Sequence, residues 1–438
     1  MHDRTSPPFA GSSDANKCRS KQRRRPAVLV HMHYHETIAL PFCELVMKRT
    51  NLLTFLVSAT QQQSNIGSNA QGSVQYRITV SGDPLPSLSV FGQSIGIHAS
   101  RLRSLLSDSP LLSAFAQFVQ GGNGEYTSCA HRVSFSRVSN ETTDLCHHAH
   151  AMSTQRDADY FVLLNDGARG PFVDQAAAAL GAKLGVAPWL GRVLEPFVQS
   201  PRVVMVGAQL SCELGVHLQS WMIAIHARVA EETRHRYLQT CGTSKLEAIW
   251  RGEVLPSKQV MQEGHAIASL WPPFSQVTRQ QFDCTRETPG SSVCRNELKG
   301  CRNPFVGKQG FAYKAPLVNV TFTKFGGEIW REKLIPAAHL ELVLKATQHI
   351  LNIGSDTHDD LQRKCAYHRL TTSSEALQPH RSHSIRTTIS KAPQPHSWSN
   401  SIRSITSNAP YVLPFPILAI CFAWFIHRKS CCGKATLG

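Results

Sequence analysis

The sequence predicts an α/β domain with a mostly parallel sheet, spanning residues 27–350 of a 438-residue chain. Three observations predict it. Short segments that alternate apolar and polar side chains, or run apolar throughout, recur along this stretch. Segments with apolar side chains at helical spacing separate them. Near the middle, residues 160–164 form the unbroken apolar run expected of a strand covered on both sheet faces.

Taken in order, residues 27–30 begin the first strand. Over 42–57, Leu45, Val46, Leu52, Leu53 and Leu56 recur at helical spacing. Val74, Tyr76, Ile78 and Val80 alternate as a strand, which Asp83-Pro84 ends. Leu88, Val90 and Phe91 read as another short strand. Residues 93–128 fit the alternation poorly and read as an insertion or lid, whose Ser- and Gly-rich parts bury little. After the strand at 160–164 come a helical stretch around 174–197, a strand at 203–206 and a helix at 216–230. Val318, Val320 and Phe322 alternate again, and Leu340, Val343, Leu344, Ile350 and Leu351 share one face of a last helix.

The flanks are of another kind. Residues 1–26 are polar and then basic, with Arg19, Lys21, Arg23, Arg24 and Arg25 in a run, and read as a disordered, solvated arm. Residues 351–408 are rich in Ser, His, Thr, Arg and Pro and read as a disordered linker. Residues 409–426 are apolar and near the lower length limit for crossing a bilayer, a candidate transmembrane helix weakened by Pro414 and Pro416. A basic tail, 427–438, follows, with Cys431 and Cys432 as candidate acylation sites. The opening residues hold no apolar stretch of the secretory kind. Membrane association through the C-terminal segment, in the Golgi or endoplasmic reticulum, is the expected location. Asn140 and Asn319 stand in N-x-T sequons, and a glycan on either would place the domain in the lumen.

A net charge of +16 attracts polyanions, but much of it sits in the two flanks. A basic nucleic-acid-binding protein is one alternative reading, but no RNP, KH or zinc-finger pattern is present, so specific nucleic-acid binding is not expected. The 13 cysteines show no recurring C-x-x-C spacing, so a structural zinc site is not expected; disulfides and unpaired core thiols both stay open.

Parallel α/β sheets bind ligands outside the carboxyl ends of their strands. That rule gives weight to Asn165-Asp166-Gly167-Ala168-Arg169-Gly170-Pro171-Phe172, which follows the central run. Asp166 is suited to a divalent cation, and Arg169 to a diphosphate in fork geometry. Gly167 and Gly170 let backbone approach a ligand. A tight turn whose Asp caps the next helix is the competing reading. Asp157-Ala158-Asp159 is a literal D-x-D, but it precedes the strand and falls on the wrong edge. His31, His33 and His35 lie at i, i+2, i+4 and share one strand face. They could join in a metal site, although no carboxylate or Cys accompanies them at suitable spacing. His147, His148 and His150 form a similar, weaker group.

Three segments carry a resemblance. Arg137-Val-Ser-Asn140 followed by Asp144-Leu-Cys146-His-His148-Ala is similar to an R-x-N…D-L-C-x-H-A motif. The run from Tyr160 through Asn165 to Arg169-Gly170-Pro171-Phe172 is similar to Y-F-x-x-L-N-x-x-x-R-G-P-F. Val206-Gly207 through Ser211-Cys212-Glu213, with His217-Leu-Gln219-Ser220, is similar to V-G-x-x-I-S-C…H-x-Q-S. Asn303-Pro304-Phe305 and 318–324 match the closing section more faintly. Together they resemble a glycosyltransferase-like family distantly similar to rhamnan-synthesis proteins. The resemblance implies a GT-A-like (Rossmann-like) fold, a nucleotide-sugar donor, a glycan, lipid or protein acceptor, and a divalent cation, Mn or Mg. It implies that Asp144 and Asp166 lie near the nucleotide diphosphate, with Asp166 on the metal. Asn165, Arg169, Gly170, Gln219 and Ser220 would bind substrate, and Glu213 and His217 are the candidate catalytic residues. No D-x-D follows the central strand, which keeps open a non-catalytic relative that binds a nucleotide or carbohydrate.

Overall fold

A computed structural model of the chain describes residues 26–40, 42–61, 74–122, 124–127, 131–140, 143–172, 175–211, 216–270, 321–324 and 351. By contacts the chain divides into two units, Met1–Leu377 and Gln378–Gly438; the second lies wholly outside the described residues. So do the arm at 1–25, the linker from 352 and the segment at 409–426. Among the described residues no helix is long and apolar enough to cross a membrane.

The strands are β1 (Val28–Glu36), β2 (Val74–Gly82), β3 (Glu125–Thr127), β4 (His131–Arg137), β5 (Tyr160–Asn165), β6 (Ala168–Arg169), β7 (Val203–Gly207), β8 (Leu210–Ser211), β9 (His217–Leu218), β10 (Met222–His226), β11 (Ala266–Ser269) and β12 (Thr323–Lys324). The helices are α1 (Phe42–Gln61), α2 (Leu88–Ser94), α3 (Ala99–Asp108), α4 (Pro110–Val119), α5 (Asp144–Ser153), α6 (Gln175–Leu184), α7 (Pro188–Gln199), α8 (Ala227–Leu238), α9 (Lys245–Ile249) and α10 (Leu255–Gln262). A π-helical turn, Trp250–Val254, joins the last two.

Eight strands form one sheet in the order β11-β7-β10-β5-β1-β2-β4-β3. β1 pairs in parallel with β2 and β5, β2 with β4, and β7 with β11; β10 and β3 run antiparallel to their neighbours. The expected mostly parallel sheet flanked by helices is present, with the strand at 160–164 inside it. Helices cover both faces, and β1 shows why. Val28, Val30, Met32 and Tyr34 join a core built with Leu52, Phe55 and Leu56 of α1, Phe115 of α4 and Trp189 of α7. Leu29 points the other way, into a core with Leu145 and Ala149 of α5, Val229 and Tyr237 of α8 and Met261 of α10. His31, His33 and His35 share that second face, as strand alternation requires.

Three expectations are corrected. Residues 88–91 belong to a helix, α2, started by Ser87, whose side chain accepts from the Val90 amide. The segment at 93–128 is no loose lid. Its Leu102, Leu105, Leu111, Leu112 and Phe115 are buried, and Ser109 caps α4 while donating to Leu56 O at 2.6 Å. Residues 217–226 hold two strands, β9 and β10, joined by a turn at 219–221, and helix begins only at Ala227. The apolar stretch 222–225 is short, and periodicity alone cannot separate a buried strand from helix at that length. Of the two closing elements, Val318, Val320 and the helix around 340–350 lie outside the described residues, although Phe322 and Leu351 are buried in the first core.

Candidate functional site

The chain leaves β1 through α1 to β2 and β4 on one side, then returns through α5 to β5 on the other side. The strand order therefore reverses between β1 and β5, and a crevice outside the carboxyl ends is expected there. Several of the candidate side chains gather at this place.

Asp144 opens α5 directly after β4, and Thr143 caps the helix by accepting from the Cys146 amide at 3.3 Å. Asp144 Oδ1 is 2.5 Å from His33 Nδ1, and Oδ2 accepts from Asn165 Nδ2 at 3.2 Å. The carboxylate side chain is 41% exposed, while His33 beneath it is buried. Burial acts to raise the Asp144 carboxyl, but the hydrogen bond and charge of His33, the charge of His148 and the Asn165 amide outweigh it. The group is held well below the ordinary carboxylate range. Ser81 of β2 sits 2.9 Å from both His33 Nε2 and His35 Nδ1 and ties the two rings together.

Asp166 lies one residue beyond β5. Its Oδ2 meets Lys48 Nζ at 2.8 Å and accepts from the His35 amide at 3.2 Å. Lys48 also donates to His35 O at 3.1 Å. Burial, then the Lys48 charge, lowers the His35 pKa. Asn51 of α1 donates to Asp166 O at 2.9 Å and accepts from Arg169 Nε at 2.6 Å. Arg169 is fully buried against α1, and burial pushes its guanidinium down to about 9. Gly170 follows at φ +136°, where a Cβ would stand 2.5 Å from Thr321 O. The turn is thus packed against the strand pair β6–β12. Arg169 and Gly170 shape the Asp166 loop from behind.

A second cluster stands at the same edge of the sheet, where β9 leads into β10. The Asn165 amide donates to Trp221 O at 3.1 Å, which joins this turn to the end of β5. His217 Nε2 lies 3.9 Å from Glu253 Oε2, and Ser220 Oγ donates to Glu253 Oε1 at 2.5 Å. Gln219 Oε1 accepts from Trp221 Nε1 at 3.0 Å. Glu253 sits on the π-turn, a feature frequent at functional sites. That turn packs on α5: a Cβ at Gly252 would come within 2.2 Å of Leu145 Cδ1.

The structure therefore joins Asp144 to Asn165 directly, links Asp166 to Arg169 through Asn51, and groups His217 with Ser220 around Glu253. Glu213 lies outside the described residues. Asp159 of the D-x-D accepts from the Ala27 amide at 2.8 Å, at the amino end of the sheet, where the strand-end rule discounts it. Sequence reasoning missed Lys48, Asn51, Ser81 and Glu253. Lys48 and Asn51 lie in the polar run Lys48-Arg49-Thr50-Asn51 of α1, and nothing local separates them from their neighbours.

Beneath the site the imidazoles pair among themselves. His31 Nδ1 is 2.7 Å from His148 Nδ1, and His31 Nε2 is 3.0 Å from Thr79 Oγ1. His147 lies against the His33 ring at 4.3 Å between centroids. Burial above all lowers His31 well below its ordinary value, His147 to about 4 and His148 to about 3; neighbouring imidazoles add to the fall, while the Asp144 carboxylate opposes it at His147 and His148. His31 and His33 each spend both ring nitrogens on separate partners, which leaves the three β1 histidines without a common ligand point.

No protein-family model matches the chain, and no curated protein does. Solved structures similar at low level include the following two. One is CMP:2-keto-3-deoxy-manno-octonic acid synthetase complexed with CTP, with TM-score 0.25 and 10% identity over 56% of this chain and 88% of that one. The other is a cytidylyltransferase from Leptospira borgpetersenii, with TM-score 0.23 and 12% identity over 55% of this chain and 74% of that one. Likeness of this degree carries no assignment of function.

Proposed function

We propose that the chain is a nucleotide-sugar-dependent transferase that passes a sugar to a glycan, lipid or protein acceptor. The observation behind this reading is the gathering of Asp144, Asn165, His33, His35, Lys48 and Asp166 at the point where the strand order reverses. The motif resemblance at 137–220 points to the same chemistry.

In this reading Lys48 supplies fixed positive charge to the donor diphosphate, where negative charge builds as the nucleoside diphosphate departs. Asp144 and Asn165 hold the nucleotide or sugar hydroxyls. The acceptor hydroxyl attacks the anomeric carbon, the bond to the diphosphate oxygen breaks, and the hydroxyl proton passes to a base. His217, backed by Glu253, takes that part among the described residues, with Glu213 as the other candidate. A divalent cation on Asp166 has to compete with Lys48, which already occupies Oδ2, and both Asp144 oxygens carry hydrogen bonds. The residues present fit an ammonium–carboxylate arrangement better than an open cation site, and no step here is routed through a metal. The Lys48–Asp166 pair also favours a second reading, a relative that binds the nucleotide-sugar without turning it over.

The test is a thermal-shift screen of uridine, guanosine and cytidine nucleotide-sugars with and without Mn²⁺. A ligand held only by the folded state adds about 2.7 kcal/mol at one hundred times its Kd. Lys48→Met and Asp144→Asn should each lower affinity by about 10-fold or more, the equivalent of a lost charge-assisted hydrogen bond. Absence of any shift, or equal shifts in native and variant chains, rejects the site. Binding without release of nucleoside diphosphate selects the second reading.

A further inference from the structure

We propose that, once its disulfide is reduced, the chain binds one thiophilic divalent cation such as Zn²⁺ through Cys146, Cys241 and His150. Cys146 and Cys241 form a disulfide across 95 positions of sequence. His150 stands one turn beyond Cys146 on α5, at i+4, so the two side chains lie on the same helix face. Cys241 arrives from the turn that follows α8. The two sulfurs and an imidazole nitrogen all lie within 4.8 Å of one another, the one such grouping of His, Cys, Asp or Glu among the described residues.

The spacing suits the ion. Tetrahedral zinc with Zn–S bonds of about 2.3 Å and Zn–N of about 2.0 Å places its ligand atoms roughly 3.5–3.8 Å apart. Opening the disulfide by a small rotation about each Cα–Cβ bond is enough to reach that separation. Cys146 is buried, Cys241 half-buried and His150 exposed, so an ion can enter from the solvent side and find its sulfurs at the bottom. Cys146 lies in the first turn of α5, where the helix dipole favours a thiolate. Two thiolates and one imidazole leave a fourth position, which water fills, as in three-ligand zinc sites generally.

The chemistry closes. A phosphine reductant and one water convert the disulfide into two thiols and a phosphine oxide. The cation then displaces the two thiol protons to the buffer. The disulfide and the metal are two states of one tether, each holding the start of α5 against the turn after α8. Asp144 is two residues from Cys146, so the tether also steadies the carboxylate of the candidate site. The metal proposal itself does not depend on the nucleotide-sugar reading.

The experiment uses the full chain, reduced with a phosphine under argon and titrated with Co²⁺. Thiolate-to-cobalt charge-transfer absorption in the near ultraviolet reports the ligands. The chain has 13 cysteines, so the result is read as a difference from variants. The reduced native chain should bind one more Co²⁺ than the oxidised chain and one more than Cys241→Ser, and Zn²⁺ should displace it. His150→Ala should bind at least about 10-fold more weakly, since even an outer-shell change costs that much. His150 is exposed, so this variant keeps the fold and serves if Cys241→Ser does not. Equal uptake by reduced native, oxidised and variant chains, or a His150→Ala chain that binds as tightly as the native one, overturns the proposal.

Discussion

At the end of β1 a buried ion pair offers a sharp test of how this fold is held. The Glu36 side chain is fully buried and Arg49 is 7% exposed. Arg49 donates to Glu36 Oε1 twice, through Nε at 3.1 Å and Nη2 at 2.6 Å, and the Tyr34 hydroxyl donates to Oε2 at 2.5 Å. Burial, then the Glu36 carboxylate, holds the Tyr34 hydroxyl protonated far above its ordinary pKa, so it remains a donor. Glu36→Leu strands a buried guanidinium and a buried hydroxyl together. Removing one partner of a buried pair costs about 3–5 kcal/mol, and the unsatisfied hydroxyl adds roughly 1 kcal/mol or more. The triple variant Glu36→Leu, Arg49→Met, Tyr34→Phe removes every stranded group and keeps most of the volume. Replacing a buried pair by apolar side chains is often neutral, so it should lie within about 2 kcal/mol of the native chain. Urea denaturation at pH 7 reads both, provided the slopes agree. A triple variant no more stable than Glu36→Leu alone refutes the reasoning, because the loss would then owe nothing to uncompensated polar groups.

Acid should weaken the fold through the buried imidazoles before the carboxylates protonate. His148 titrates near 3 in the folded chain and His31 well below its ordinary value, against about 6.5 unfolded, so the unfolded chain takes the proton first as pH falls. Their contribution is intact above pH 6.5 and each loses about 1.4 kcal/mol per pH unit below it; urea midpoints from pH 7 to 4 should show this, and His148→Gln should flatten the slope. Gly82→Ala should cost roughly 2 kcal/mol or more in the same assay, since φ is +86° and the added Cβ would lie 1.9 Å from Glu36 O. A change below about 0.5 kcal/mol would mean that β1 and β2 do not close as tightly as described.

Legibility in the sequence followed the length and purity of each pattern. Residues 160–164 and 203–206 are unbroken apolar runs, and both are buried strands. The nine-residue β2 alternates cleanly and was equally readable. β10 was not, because its partners β5 and β7 reverse its direction and no local feature encodes that pairing. α5 carries three histidines among its ten residues, and its apolar pattern is too thin to announce a helix. At the site, Asn165 and Asp166 were legible because a chain-local rule, the end of a strand, selects them. Their partners were not. His33 meets Asp144 across 111 positions and His35 meets Asp166 across 131, and such pairings follow from topology alone. The Cys146–Cys241 bond, across 95 positions, is illegible in the sequence for the same reason.

The reversal of strand order between β1 and β5 also governs when the site comes into being. β1 has a parallel partner on each side, one reached after about forty residues and the other after about 130. No contiguous fragment shorter than that second span contains His33, Ser81, Asp144 and Asp166 together. Each closure of so long a loop is paid in chain entropy before any hydrogen bond rewards it. The grouping of these side chains therefore emerges with global folding and dissolves with it. Amides at the ends of β1 and β5 should exchange by the same opening as the centre of the sheet, although they sit at its edge. A ligand that binds there reports on the whole domain, and a destabilising change anywhere in either core lowers its occupancy.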